Sequence, residues 1–362
     1  MKAVILAGGS GTRLRAATDH TPKPMLPIFG KPVMEQSIRL LRKHGVNEIV
    51  VAMSYRAKEV MDYFGDGSKW RVKISYSLEE KPMGAAGGVK RVQSALNETF
   101  VVMSGDVITD FNLSAAVEFH KYSSAMATVL IHEVNDPSEF GVVAAESDGR
   151  VTKYAERPRP DLVFSSKVST GIYILEPDVL SSVPYETPCD FGREVFPRLL
   201  RNMDPVYACE LPGYWCDVGD TIRYRNVHFD ALMGKLDMEI GGKETEQGVH
   251  IAKDAIIHRS VKLTSPIFVG PGAEVRRNAA IGELSVVGAD ALIDEAAIVE
   301  RSIIGSGAFI GRASSVSDCV IASGYHLADN DNAHNRVIFA LHDRSDDESM
   351  DGSTPVESLL AA

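Results

Sequence analysis

Several groups of residues in this chain have types and spacings suited to phosphate chemistry. The apolar run Ala3-Val4-Ile5-Leu6-Ala7 leads into Gly8-Gly9-Ser10-Gly11-Thr12-Arg13. Glycines let the backbone bend sharply and bring N–H groups against a phosphate. Arg13 adds a planar, permanently charged fork for phosphate oxygens. Lys23 stands between Pro22 and Pro24, a second cation on a stiffened loop. Further along, Glu79-Glu80 precede Pro82-Met83-Gly84, and the apolar run Phe100 to Ser104 ends in Gly105-Asp106. A carboxylate at the carboxyl end of a central strand sits where phosphates and Mg²⁺ bind. The two commoner glycine motifs do not fit. No Lys follows Gly11 as a Walker loop requires, and Leu14 stands where a dinucleotide fingerprint needs its third Gly.

These residues need a scaffold, and the hydrophobic pattern supplies one. Lys2 to about Leu130 alternates strand and helix patterns. Lys31 to His44 reads as a helix stopped by Gly45, Glu48 to Ser54 as a strand, Arg56 to Phe64 as a helix and Val72 to Leu78 as a strand. Such alternation implies a Rossmann-like α/β domain with a parallel sheet, mixed toward its end, and ligands at the carboxyl ends of the strands. After Ala125 the pattern turns to mixed strands. A helix over Tyr224 and His228, capped by Asp220, closes the first domain, residues 1–235. Residues 236–248 read as a linker rich in glycine and charge. From Ile251 to Val299 aliphatic residues then recur every six positions; the register slips by one and resumes at Ile304, Ile310 and Val316. A period of six means a β-solenoid, in which stacking buries the aliphatic ladder. About four coils fit into residues 249–338. The acidic, Ser-rich segment 339–362 reads as a disordered tail.

The formal net charge of −11 sets aside a general nucleic-acid binder or a protein of anionic membrane surfaces. Cys189, Cys209, Cys216 and Cys319 form neither a C-x-x-C pair nor a zinc spacing, which suits free thiols in a reducing cytoplasm. No apolar run reaches transmembrane length.

The stretch from Met1 to Pro27 resembles the signature of the sugar-1-phosphate nucleotidylyltransferases, or NDP-sugar pyrophosphorylases. Ala16-Ala17-Thr18 stands where that family has Pro-Leu-Thr. Glu79 to Gly87 resembles its E-x-P-L-G-T-A-G segment, which lies against the base. Glu139-Phe140-Gly141-Val142-Val143 resembles its sugar-contacting segment, and Tyr154-Ala155-Glu156-Arg157-Pro158 its F-x-E-K-P, with Arg157 in place of lysine. Ser169-Thr170-Gly171 matches Asn-Thr-Gly with a shorter first side chain, and Gly213 to Gly219 matches G-x-W-x-D-x-G. The solenoid is similar to the left-handed hexapeptide β-helix that many members carry.

The resemblance implies a division of labour. Leu6, Ala7, Gly8, Gly9, Gly11, Thr12, Glu79 and Gly84 would bind the nucleotide. Asp106 and Asp217 would hold one Mg²⁺, Arg13 the leaving pyrophosphate and Lys23 the developing charge. Gly141, Glu156, Arg157 and Thr170 would bind the sugar phosphate. The closest motif style is that of mannose-1-phosphate guanylyltransferases, which implies GTP and mannose 1-phosphate as substrates. A carboxylate at Glu79 can accept both N1–H and N2–H₂ of guanine and would repel a pyrimidine oxygen. Glu80 competes for that role. The rivals are uridylyl, thymidylyl or adenylyl transfer, and a non-catalytic NDP-sugar-binding subunit. Acyl transfer by the solenoid would have to use His250, His258 or His326, which read as exposed turn residues. A homo-oligomer joined through the β-helix is expected.

Overall fold

The computed structural model describes residues 1–8, 21–54, 56–338 and the backbone of 353–355. Gly9, Gly11, Thr12 and Arg13 lie outside that set. The chain divides into two compact units, broken between Asp217 and Val218, with residues 1–8 in the first and 21–32 in the second.

In the first unit, β1 (Lys2–Leu6), β2 (Glu48–Met53), β3 (Lys73–Leu78) and β4 (Phe100–Ser104) are parallel neighbours in the order β4-β1-β2-β3. β1, β2 and β4 are apolar runs without alternation, as strands covered on both faces require, while β3 at the edge alternates polar and apolar residues. Helices α1 (Val33–Lys43) and α2 (Ala57–Phe64) follow β1 and β2 within a residue or two of the sequence reading. The short β5 (Val107–Thr109) comes after β4. Beyond it the sheet turns mixed. β6 (Ala127–Glu133), β7 (Gly141–Ala145), β8 (Val151–Glu156) and β9 (Lys167–Leu175) extend it, with β9 antiparallel to β4, and β10 (Val206–Glu210) runs parallel to β6. Phe100, Phe191 and Phe196 fill the core beneath, none more than 1% exposed.

The second unit holds the solenoid. Val249 lies beside Ile267 and Ile267 beside Ser285, so the first coils take 18 residues. From Val286 beside Ile303 onward they take 17. The missing residue is lost at the same corner each time: Val299 to Ile304, Val316 to Ile321, Ala333 to Ile338. The slip noticed once in the sequence is thus a repeated feature. The ladder residues Val275, Ile281, Val287, Ile293, Val299, Ile310 and Val316 are at most 1% exposed. Two of the three faces carry five strands each, so the coil count is five rather than four.

Three boundaries need correction. Residues 243–246, read as linker, form a strand antiparallel to Val249–Ile251. Residues 353–355, read as disordered tail, form a strand antiparallel to Arg336–Ile338. The helix Thr221–Leu232 belongs with the solenoid unit and not with the catalytic sheet. Its Arg225 donates to the Asp318 carbonyl at 2.9 Å, and Tyr224 Oη donates to the Pro27 carbonyl at 2.8 Å. Asp220 caps this helix as expected, accepting from Arg223 N–H at 2.8 Å.

His228 on that helix is 1% exposed. Its ring packs edge-on against Phe29, and its Nδ1 is 2.9 Å from the Tyr224 carbonyl while Nε2 accepts from the Phe29 N–H. Burial pushes its pKa down to about 4. The unfolded chain binds the proton near pH 6.5 and the folded chain resists it. Stability held above pH 6.5 should therefore be lost as pH falls toward 4, at about 1.4 kcal/mol per pH unit and roughly 2 kcal/mol by pH 5. A denaturant midpoint for this unit that stays flat from pH 7.5 to 5 would contradict it.

Candidate active site

The parallel strands end level: Leu6 pairs with Ala52 on one side and Ser104 on the other. Gly105 continues the ladder, donating its N–H to the Leu6 carbonyl at 2.9 Å. A Cβ there would stand 3.0 Å from that carbonyl oxygen, so only glycine fits without a shift. The next residue, Asp106, is thereby held at the strand ends, beside Leu6, Ala7 and Gly8. Ser104 Oγ donates to Asp106 Oδ1 at 2.6 Å.

Asp217 reaches the same place by a short ladder. Strand β11 (Trp215–Asp217) pairs antiparallel with β5, placing Asp217 opposite Val107. Opposed antiparallel residues have Cα atoms about 4.5–5.5 Å apart. The two aspartates are therefore near neighbours. The far end of the ladder is clasped. Tyr214 N–H donates to Asp110 Oδ1 at 2.6 Å, and Thr109 Oγ1 donates to the Tyr214 carbonyl at 2.7 Å. Trp215 Nε1 donates to the Thr170 carbonyl at 2.9 Å. No cluster of three or more His, Cys, Asp or Glu suited to a metal occurs among the described residues. Two hard carboxylates nonetheless fit Mg²⁺, which binds through one or two carboxylates, waters and substrate phosphates and not in an all-protein cage.

Glu79 departs from its expected pose. Its Oε2 accepts the Met83 N–H at 3.0 Å, and its Oε1 lies where a Cβ on Gly88 would be 2.4 Å away. The carboxylate is turned inward against α3 (Gly84–Arg91) and not splayed toward a base. A two-oxygen fork on guanine is not what it presents; Glu80 is the exposed carboxylate of the pair. Gly84 also has a structural reason. Its φ is +70° and a Cβ would come within 2.5 Å of the Cys189 carbonyl, which accepts from the N–H groups of Ala86 and Gly87 at 3.0 Å.

At the other side of the strand ends, Glu156 lies opposite Gly141 on β7 and β8. Tyr154 Oη donates to Glu156 Oε2 at 3.1 Å. Added Cβ atoms on Gly141 and Gly192 would stand 2.8 and 2.2 Å from Glu156 Oε2, so two glycines make the slot this carboxylate occupies. Burial, with the Asp190 charge second, pushes the Glu156 pKa up, which marks a carboxylate short of water and ready to accept hydroxyl donors. Ser169 Oγ and Tyr173 Oη are 3.3 Å apart. Arg157, at φ +45°, is exposed, with Nε 3.8 Å from Glu156 Oε1. Thr170 is not a side-chain ligand in this arrangement. It is 1% exposed and its Oγ1 donates to the Leu130 carbonyl at 2.8 Å, so it serves the sheet and, through its carbonyl, Trp215. Gly192 and Asp190 were not singled out in the sequence, and Tyr154 was read there only as part of its motif, with no role of its own. The two-residue period of a strand already puts Tyr154 on the face of Glu156; no comparable local signal marks Gly192 or Asp190.

Lys23 belongs to the second unit. It opens a 3₁₀ turn (Lys23–Met25) with Leu26 N–H donating back to its carbonyl at 3.1 Å, the stiffness expected of Pro-Lys-Pro.

Comparison with known proteins agrees with this geometry. The nucleotidyl transferase family model matches residues 2–233. Over 313 residues the chain is 35% identical to a UTP–glucose-1-phosphate uridylyltransferase of Synechocystis, covering 81% of this chain and 80% of the relative. It is 33% identical over 284 residues to mannose-1-phosphate guanylyltransferase 1 of Arabidopsis thaliana, covering 76% of each. Among solved structures, HddC from Yersinia pseudotuberculosis complexed with GMP-PN aligns with a TM-score of 0.54 at 25% identity, covering 62% of this chain and 96% of that one. This chain belongs to the nucleotidyl transferase family, among its NDP-sugar pyrophosphorylases.

Proposed function

We propose that this sugar-1-phosphate nucleotidylyltransferase joins GTP and mannose 1-phosphate into GDP-mannose, releasing pyrophosphate. The observation that carries the reaction class is the β5–β11 ladder, which brings Asp106 and Asp217 together at the carboxyl ends of the parallel strands. An oxygen of the sugar phosphate attacks the α-phosphorus in line, and the bond to the pyrophosphate oxygen breaks. The attacking monoester is already anionic, so neither a general base nor a covalent intermediate is required. The protein's work is positioning and charge placement. Asp106 and Asp217 would hold Mg²⁺, which when bound neutralises charge on the α-phosphate and its neighbours. Lys23 meets the charge that develops at the α-phosphorus, with Arg13 on the leaving pyrophosphate. Arg157 orients the incoming phosphate, and Glu156 accepts the sugar hydroxyls. Replacing Lys23 by Ala should lower kcat about 10²-fold, since preorganised charge at a transferring phosphoryl group is worth several kcal/mol. An unchanged kcat with a raised KM would make it a ground-state binder only.

The guanine reading rests on likeness to the guanylyltransferases and on a carboxylate at the base edge, a role that passes from Glu79 to exposed Glu80. Uridylyl transfer to glucose 1-phosphate is the second reading, favoured by the Synechocystis relative. A pyrophosphate-release screen of all NTPs against a panel of sugar 1-phosphates separates the two. Better turnover of UTP than GTP would replace the first by the second, and no turnover of any pair would favour a regulatory subunit.

The protein is also proposed to self-associate through the solenoid. One face is closed at both ends by antiparallel strands, while Ile256 and Ile298 on the other faces are 64% and 48% exposed. Multi-angle light scattering at micromolar concentration should give an integral multiple of the chain mass. A monomer there would refute it.

A further inference from the structure

A second cavity in the first unit lies away from the strand ends that carry the aspartates. It has a volume of about 430 Å³ and is lined by Arg39, Arg42, Lys43, Lys69, Trp70 and Arg71. Five of these six are cations and none is acidic, in a chain whose formal net charge is −11. Topology separates this cavity from the active site. Arg42 and Lys43 end α1, six and five residues before β2 begins at Glu48, and Arg71 stands just ahead of β3 at Lys73. Those are the amino ends of parallel strands; Asp106 stands at their carboxyl ends.

The cavity is also built and not merely a chance meeting of surface side chains. Glu35, 2% exposed, accepts from Arg39 Nε at 2.9 Å and from Tyr63 Oη at 2.9 Å, fixing one wall. Tyr63, Phe64 and Trp70 pack with ring centroids 4.8 to 5.9 Å apart, and the Lys69 ammonium sits over Trp70 at 4.6 Å and over Tyr63 at 5.1 Å. Cations therefore face the space from two sides: α1 supplies Arg39, Arg42 and Lys43, and the turn before β3 supplies Lys69 and Arg71. Arg39 is already ion-paired with Glu35 at 2.8 Å, so it shapes the wall, and gathering the other four cations around one concavity costs free energy that an anion relieves. The indole is itself buried, at 8% exposure, so it offers little face for a base to stack on. A concave space of this size suits a small molecule better than a flat membrane or a polymer.

We propose that this cavity is a second, non-catalytic anion site, which takes a compact molecule carrying two or more phosphate groups. The forks of Arg42 and Arg71 grip phosphate oxygens in bidentate fashion, and the lysines add point charge.

The chain has two tryptophans, Trp70 and Trp215, so with excitation beyond the tyrosine absorption band Trp215→Phe leaves Trp70 as the sole emitter. The full chain in that background is titrated with inorganic tripolyphosphate, with EDTA and about 150 mM NaCl to screen loose surface attraction. Emission and calorimetric heat are read together. Saturable binding is expected, weakened about tenfold or more by Arg42→Ser with Arg71→Ser, as loss of two charge-assisted contacts implies. Both residues are exposed, so an unchanged melting temperature confirms that the variant is folded. Added Lys23→Ala should leave the Trp70 signal intact. Absence of saturation in both readouts, equal affinity in the double variant, or loss of the signal with Lys23→Ala would each overturn the site. So would a response to phosphatidylserine vesicles but not to tripolyphosphate, which would make the patch a membrane contact.

Discussion

Either Asp106→Asn or Asp217→Asn is expected to lower kcat about 10³-fold or more, which is roughly 4 kcal/mol of transition-state stabilisation. The melting temperature should stay within about 4 °C of the parent, because each change keeps the shape and alters only charge at a partly buried surface. One hard cation shared by two carboxylates loses its grip when either becomes an amide, since Mg²⁺ discriminates strongly for anionic oxygen. The two losses should also fail to add: the double variant should be no worse than about tenfold below the weaker single, as expected for residues acting as a unit. Manganese binding followed by electron paramagnetic resonance gives a readout apart from turnover, and it should weaken in both singles. Near-normal Mg²⁺-dependent turnover in both would remove the metal assignment, whatever becomes of the sugar and base.

The second large effect belongs to a glycine. Gly141→Ala would place a Cβ 2.0 Å from Tyr154 Oη, 2.6 Å from Tyr154 Cζ and 2.8 Å from Glu156 Oε2. Such contacts cannot persist, so the tyrosine ring and the carboxylate must both move. Tyr154 is 8% exposed and packs against Phe196 at 5.2 Å between centroids, which leaves it little room to retreat. The expected result is a fall in kcat/KM for sugar 1-phosphate of about 10²-fold, since misplacing a positioning group by about an ångström costs that much. The KM for the NTP should change little if Gly141 lies on the sugar side as proposed. Gly171→Ala, whose Cβ meets only Ser104 Cβ at 3.3 Å, is the milder comparison, though its φ of +75° adds backbone strain. If Gly141→Ala turns over sugar phosphate as the parent does, the slot described for Glu156 is not where the sugar binds.

Much of this was legible in the sequence because it is local. The apolar runs, the Asp220 cap and the six-residue ladder are short-range patterns, and each appears within a residue or two of where the pattern puts it. The glycine before Asp106 announces a strand end for the same reason. What was not legible depends on residues far apart along the chain. Glu79 is turned inward because the N–H of Met83 needs an acceptor. The N–H groups of Ala86 and Gly87 are in turn met by Cys189, about a hundred positions away. No local pattern carries that pairing. Thr170 reads as a ligand by its motif, yet its place in a buried strand commits the hydroxyl to Leu130. The helix around His228 closes the stretch that the family model matches, yet its contacts with Pro27 and Asp318 lie within the second compact unit, and no local pattern announces them. Asp217 shows the division most clearly. Resemblance assigns it a metal, but the reason it stands beside Asp106 is the register of β11 on β5, which composition and periodicity do not express.

That register has a consequence for when the protein can work during its synthesis. A nascent chain that has emerged only through Glu210 carries β1, β2, β4 and Asp106, so the nucleotide half of the site is complete in sequence. Strand β5 then has no partner, since Trp215–Asp217 is still inside the ribosome. If Asp217 holds the metal as proposed, catalytic competence is deferred until the sheet is already made. Ribosome-stalled chains ending shortly before and well after Asp217 would report it: pyrophosphate release should begin only with the longer ones, and release from the shorter would show that the ladder is dispensable.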